Sequence, residues 1–195
     1  MMKKLLAFFS ALLFFSFAFA QDKPEGLFIN SKAPNFTAKD QNGNEISLKD
    51  LKKKSKVVLV FYRGNWCPYC SKHLQKLQDS LNYITEKGAM VVAITPETNE
   101  GIAKTVEKTK VTFPIVYDEE MKIAKSYQVS FKVDDKTVQR YKNADIDLLK
   151  NNNQKEALLP VPAVYIINKD GAVTYRFFES DYKKRVSVKE ILANL

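Results

Sequence analysis

Two cysteines, Cys67 and Cys70, are the residues of this 195-residue chain best suited to covalent chemistry, with Pro68 and Tyr69 between them. A structural staple is a poor use of this spacing: a loop of about four residues returns roughly 2 kcal/mol of chain entropy, against roughly 3 for fifteen. Zinc is poorly served too, because a closed site wants four ligands and the chain offers two thiols and one histidine, His73. A dithiol/disulfide couple remains. Pro68 suits a first helical turn, which would put Cys67 at a helix N-terminus, where the dipole and free amides favour a thiolate. Cys70, one turn on, opens the apolar stripe Cys70, Leu74, Leu77, Leu81, Ile84. The expected pair is therefore unequal, with Cys67 exposed and attacking a substrate disulfide and Cys70 shielded and resolving the mixed disulfide. His73 lies about 9 Å along the helix from Cys67 and is expected on its surface.

The flanking segments read as a scaffold for this pair. Residues 56–62 form a continuous apolar run that suits a strand buried on both faces and ends just before the motif. A second such strand is expected at 90–95, then a helix from about 99 to 110, a short strand at 113–117 and a helix from about 119 to 127. Residues 33–44 suggest a short extended pair around a turn. The polar, lysine- and asparagine-rich stretch at about 130–159 reads as an insertion holding one helix near 134–142. Residues 161–167 and 172–178 then form a strand and its antiparallel partner about the turn at 168–171, and a last helix runs from about 187. Alternating strands and helices give an α/β sheet with helices on both faces.

At the N-terminus, Lys3 and Lys4 precede an apolar run, Leu5 to Ala20, that ends Ala18-Phe19-Ala20. This is the pattern of a secretory signal peptide over residues 1–20, cleaved near Ala20, and it predicts an exported, periplasmic or otherwise extracytoplasmic protein. The run is too short for a spanning helix, so no stable membrane insertion is expected after cleavage. Residues 21–32 read as a polar lead-in and 33–195 as one domain. The formal charge of +9 falls by two when Lys3 and Lys4 leave, and the other lysines are scattered. A solvated basic surface follows, and nucleic acid is not an expected partner.

Phe61-Tyr62-Arg63-Gly64-Asn65-Trp66-Cys67-Pro68-Tyr69-Cys70 resembles the alkyl hydroperoxide reductase/thiol-specific antioxidant (AhpC/TSA) group, and within it a peroxiredoxin-like branch. Leu159-Pro160-Val161-Pro162-Ala163 and Asp181-Tyr182-Lys183-Lys184-Arg185 resemble the same branch. The resemblance implies a thioredoxin-like fold, a central mixed β-sheet flanked by helices, with the insertion placed before a strand that opens on a cis Val161–Pro162 bond beside the cysteines. It implies thiol redox activity without a metal or other cofactor, with Trp66, Pro68 and Tyr69 supporting the pair. Typical peroxiredoxins carry Pro and Thr seven and three residues before the reactive cysteine; counted from Cys70, those positions hold Arg63 and Cys67. The family's distant arginine has a positional candidate in Arg176. Thioredoxins bury an acid where this chain has Phe61, so Glu97, just past the second buried strand, is the candidate substitute. Arg63 could stabilise either thiolate. Cys-Pro-Tyr-Cys also occurs in glutaredoxins, but the interval from Cys70 to Pro162 is too long for that layout.

Three functions are consistent with these residues. The first is a thiol-disulfide oxidoreductase acting on exported protein thiols or disulfides, and the second a peroxidase reducing hydroperoxides through a cysteine sulfenic acid. The third is a non-catalytic binding module. Either enzyme needs an electron-donor thiol protein that the sequence does not identify.

Overall fold

The computed structural model describes residues 23–195; the signal-peptide segment 1–20 lies outside them. Two short strands, β1 (Thr37–Lys39) and β2 (Glu45–Ser47), pair antiparallel about a turn closed by Asp40, whose side chain accepts from the Asn42 and Asn44 amides, both at 2.8 Å. Helix α1 (Leu48–Lys54) leads into β3 (Lys56–Phe61). The apolar run of β3 makes it the centre of the sheet. β3 pairs in parallel with β4 (Ala89–Thr95) and antiparallel with β8 (Ala163–Ile167).

Between β3 and β4 lie α2 (Pro68–Asp79) and α3 (Leu81–Glu86). The single apolar stripe expected of one helix is thus divided at Ser80, whose backbone leaves helical geometry. Helix α4 (Asn99–Thr109) connects β4 to β5 (Ile115–Tyr117), and a 3₁₀ turn followed by α5 (Lys122–Ser126) leads away from the sheet. After the excursion at 130–159 come β8 and β9 (Val173–Phe178), then the terminal helix α8 (Val188–Ala193), capped by the Ser187 side chain. The order β5-β4-β3-β8-β9 is a five-stranded mixed sheet. Strand alternation splits the core in two. Val58, Val60 and Tyr62 face α2, α3, α4 and α8 together with both cysteines; Val57, Leu59 and Phe61 face α1 and α5.

The excursion contains more than the one helix expected. It folds as a two-stranded ribbon, β6 (Ser130–Lys132) with β7 (Leu158–Pro160), enclosing α6 (Asp135–Lys142) and α7 (Leu148–Asn152). Its own small core of Val133, Leu148, Ala157 and Leu159 also takes in Trp66, so the insertion is anchored on the residue before Cys67.

Candidate active site

β3 ends at Phe61 and the chain turns through residues 62–66 to Cys67, the N-cap of α2, with Pro68 in the first turn. The Cys67 carbonyl accepts from the amides of Cys70 (3.0 Å) and Ser71 (3.1 Å), which fixes one cysteine a helical turn from the other. Both thiols are free and both residues are buried, Cys67 at 2% and Cys70 at 1% exposure. The expected contrast between an exposed and a shielded sulfur is therefore absent. Distant segments pack on either side of the helix tip: Tyr182 meets the Tyr69 ring edge-on at 5.9 Å, and Tyr141 of the insertion lies 5.2 Å from Trp66. Pro68 and Tyr69 themselves keep an exposed face.

The sulfurs remain unequal in charge. Burial alone would raise the Cys70 thiol, but the hydrogen bond from the Cys67 thiol and then the Arg185 charge outweigh it and bring Cys70 down to about 6. Arg185 Nη2 donates to Cys70 Sγ at 3.3 Å. Cys67 moves the other way, held protonated first by its hydrogen bond to Cys70 and then by burial. The two thiols hold one proton between them, and the charge sits on the inner sulfur.

Arg63 is buried, at 3% exposure, rather than solvated. Its guanidinium lies 4.4 Å from the Tyr182 ring centre, 4.9 Å from that of Trp66 and 5.6 Å from that of Tyr141, and its Nη2 donates to the Tyr141 hydroxyl. Its charge also favours a thiolate at Cys67. Glu97 is fully buried just past β4, the strand end expected for it, but its bonds go to the loop and not to a sulfur. It accepts from the Asn65 amide (2.6 Å), Asn65 Nδ2 (2.5 Å) and the Thr105 hydroxyl (3.3 Å). Burial raises its pKa, against these hydrogen bonds. Gly64 is required for this approach, since a Cβ there would lie 2.8 Å from Glu97 Oε1. Glu97 thus holds the loop that presents Trp66 and Cys67.

Three further expectations are corrected. Arg176 is not at the sulfurs: it donates to the Glu25 carbonyl at 2.7 Å and lies over Phe28 and Phe178. Its neighbours Tyr175 and Phe177 face the cysteine side, so alternation along β9 turns Arg176 to the opposite one. The arginine at the site is Arg185, from a segment that carried no sequence signal beyond its resemblance. Val161–Pro162 is trans, as every described peptide bond is. The chain runs on from β7 with the Val161 amide donating to the Val129 carbonyl at 2.8 Å, so no tight turn selects the cis isomer. His73, expected on the surface, is buried under the segment that carries Arg185 and Val186. Burial first, then the Arg185 charge, lowers its pKa to about 4, so the imidazole is neutral. Among the described residues no three His, Cys, Asp or Glu side chains converge as a metal ion would need.

Known proteins resemble this chain in sequence and in fold. The AhpC/TSA family model matches residues 29–176. A thiol-disulfide oxidoreductase ResA of Bacillus cereus is 27% identical over 169 residues, covering 86% of this chain and 79% of its own. Peroxiredoxin Bcp of Bacillus subtilis (strain 168) is 26% identical over 165 residues, 85% of this chain and 90% of its own. Among solved structures, peroxidoxin BcpB of Mycobacterium tuberculosis superposes with a TM-score of 0.65 at 20% identity, covering 85% of this chain and 94% of the other, a likeness of fold.

Proposed function

The chain belongs to the AhpC/TSA family and is a thiol-dependent oxidoreductase, and from its two sulfurs we propose that it reduces small hydroperoxides through Cys70, with Cys67 closing the disulfide. The observation that carries this reading is the contact of Arg185 Nη2 with Cys70 Sγ, 3.3 Å, in a pair too buried to meet a protein disulfide face on. A substrate of a few atoms suits so enclosed a thiolate better than a folded protein does. The Cys70 thiolate attacks the terminal oxygen of the hydroperoxide, the O–O bond breaks, and the departing alkoxide takes the proton of Cys67. The Cys67 thiolate then attacks the Cys70 sulfenic acid, expelling hydroxide, which leaves as water after taking a proton from solvent. Cys67 occupies the position where typical peroxiredoxins hold Thr, and in this scheme it serves as both proton donor and resolving thiol. An external dithiol regenerates the pair.

A second reading, disulfide exchange with Cys67 as the entering nucleophile, is favoured by the position of Cys67 as helix N-cap. The likeness to thiol-disulfide oxidoreductases points the same way. It requires the Tyr182–Arg185 segment to lift away. Stopped-flow oxidation of the reduced protein and of its Cys67→Ser and Cys70→Ser variants separates the two. The first reading expects hydrogen peroxide to convert Cys67→Ser to a dimedone-reactive sulfenic acid on Cys70. If peroxide leaves both cysteines reduced while Cys70→Ser traps a protein disulfide through Cys67, the second reading replaces it. Export, argued from the N-terminal apolar run alone, is tested by N-terminal sequencing of the protein recovered from the extracytoplasmic fraction.

A further inference from the structure

A cavity of about 340 Å³ opens beside the cysteine loop, between the insertion and the Tyr182 segment, with Arg63, Thr137, Arg140, Tyr141, Pro162 and Tyr182 on its walls. Its size falls within the range of small-molecule sites, roughly 300–1,000 Å³. Its charge is unusual. Arg63 is almost wholly buried, its Nε has no hydrogen-bond partner, and among the described residues no carboxylate lies within 4.0 Å of its guanidinium. A buried cation ordinarily has a paired anion, because an uncompensated charge in a poorly solvated site is costly. The acid on the cavity wall, Asp134, caps α6 by accepting from the Thr137 amide at 2.9 Å. Lys132, also on the wall, is turned to Glu156 at 3.0 Å. Arg63, which donates to the Tyr141 hydroxyl, and Arg140, which donates to Thr137 Oγ1 at 3.4 Å, are thus the wall cations without a carboxylate partner, and the flanking Tyr141 and Tyr182 rings supply an apolar collar.

The chemistry of the pair indicates what such a ligand does. In disulfide cleavage the sulfur with the lower thiol pKa leaves faster. Arg185 makes Cys70 that leaving group. An incoming thiolate is therefore directed to Cys67, the residue next to Trp66, whose ring lies under the cavity-wall Arg63, and itself under the charge of Arg63.

We propose that this cavity binds the carboxylate of a small thiol reductant on Arg63 and Arg140, so that its sulfur attacks Cys67 of the oxidised pair. The inference rests on the reading above that Cys67 and Cys70 cycle through an intramolecular disulfide. One thiolate attacks Cys67 Sγ, the S–S bond breaks and Cys70 leaves as thiolate. A second thiolate attacks the reductant's sulfur in the mixed disulfide and releases Cys67. Two thiols are oxidised to one disulfide, and the protein disulfide is reduced to the dithiol.

The test uses the full mature chain oxidised with diamide, the disulfide being verified as a mass loss of two hydrogens. Its reduction is then followed with thioglycolate, 2-mercaptoethanol and cysteamine, which carry a carboxylate, no charge and an ammonium. Rates are normalised for thiol pKa with a Brønsted slope of roughly 0.4–0.5. Thioglycolate should lead 2-mercaptoethanol by about tenfold, equivalent to about 1.4 kcal/mol, with cysteamine slowest. Arg63→Gln should abolish the lead. Should Arg63→Gln fail to fold, Arg140→Gln, on the exposed face of α6, should still reduce the lead severalfold. Lys169→Gln, in the turn at the far end of β8, should leave it unchanged and so separate the cavity from the general positive field. Equal normalised rates for the three thiols, or a lead that survives both arginine variants, overturns the proposal while leaving the disulfide cycle standing. Failure to form the intramolecular disulfide overturns both.

Discussion

Replacing Arg185 by Gln removes the one cation in direct contact with Cys70, 3.3 Å from its sulfur. An opposite charge at this range typically moves an acid by about 1–3 units, and Arg185 is partly solvated, so a loss of about 1.5 units is the working figure. Cys70, held at about 6 in the wild type, should then titrate near ~7.5, a change of about 2 kcal/mol in the cost of the thiolate. At pH 7 the thiolate fraction falls from about 90% to about 25%, so a thiolate-limited reaction slows about fourfold. The assay is the ultraviolet absorbance of the thiolate, titrated in the reduced protein and in the Cys67→Ser background, where Cys70 alone contributes. The same shift has a stability signature. Because the folded pKa lies below the unfolded one, Cys70 stabilises the reduced protein fully above about pH 9 and loses that contribution as pH falls through about 6. Arg185→Gln should shrink this dependence, and the disulfide form should lack it. An Arg185→Gln titration midpoint that coincides with wild type, or a wild-type protein in which Cys67 is alkylated first at pH 7, refutes the assignment of the charge to Cys70.

Three other outcomes are expected. His73, buried and neutral with a pKa of about 4, contributes stability that is complete above its unfolded pKa near ~6.5 and is lost as pH falls through about 4, about 3 kcal/mol in all. His73→Leu should therefore flatten the pH dependence of urea denaturation between pH 6.5 and 4, and an unchanged slope counts against that burial. Glu97→Ala leaves the Asn65 amide without its acceptor and should cost about 2–4 kcal/mol in the same assay, whereas Glu97→Gln, keeping one oxygen, should cost less than half as much. Trp66 is the chain's single tryptophan, so its emission reports the site directly. Tyr141→Ala should uncover it and shift the emission to longer wavelength, unless the insertion does not cover the loop in solution.

What could be read from the sequence was local. The apolar run of β3 and the proline after Cys67 place the motif at a strand-to-helix junction, and the spacing of two cysteines defines their chemistry without any tertiary information. The break of the helical stripe at Ser80 is local, but the expectations misplaced at the site depended on segments remote in sequence. Cys67 belongs to the main core, flanked by Trp66 and Tyr69, and these take their packing from an insertion whose few apolar residues give no periodic signal of two helices and a ribbon, and from Tyr182. His73 sits beside the apolar stripe of α2 and is buried where the chain returns over it at Arg185 and Val186. The exchange of Arg176 for Arg185 reflects sheet parity. A residue in a strand takes its face from its register, and the β8–β9 pairing has an irregularity between Ile166 and Ile167 that cannot be counted along the chain. Only the place of Glu97 was legible, because a position just beyond a parallel strand's carboxyl end is fixed by topology; its bonds to Asn65 and Thr105 were not.

The convergence of Arg63 and Arg185 on one cysteine pair also bears on the direction of electron flow. A group that favours the thiolate favours the dithiol form over the disulfide and so raises the reduction potential. With Cys70 at about 6, ionisation at pH 7 stabilises the reduced pair by about 1.4 kcal/mol, which for a two-electron couple is about 30 mV. Moving Cys70 to ~7.5 removes nearly all of this, so Arg185→Gln should lower the potential by about 25–30 mV in redox-buffer titrations at pH 7, and by much less at pH 5, where Cys70 is protonated in both proteins. Arg63 has no such simple sign. It favours the thiolate in the reduced state, but oxidation removes that anion and leaves Arg63 free for one from solution. An anion that binds the oxidised form more tightly must, by linkage, lower the potential when it binds. If carboxylate enters at Arg63, adding a non-thiol carboxylate such as succinate should lower the wild-type potential and leave Arg63→Gln unaffected; equal shifts in both proteins would locate the effect elsewhere on the basic surface.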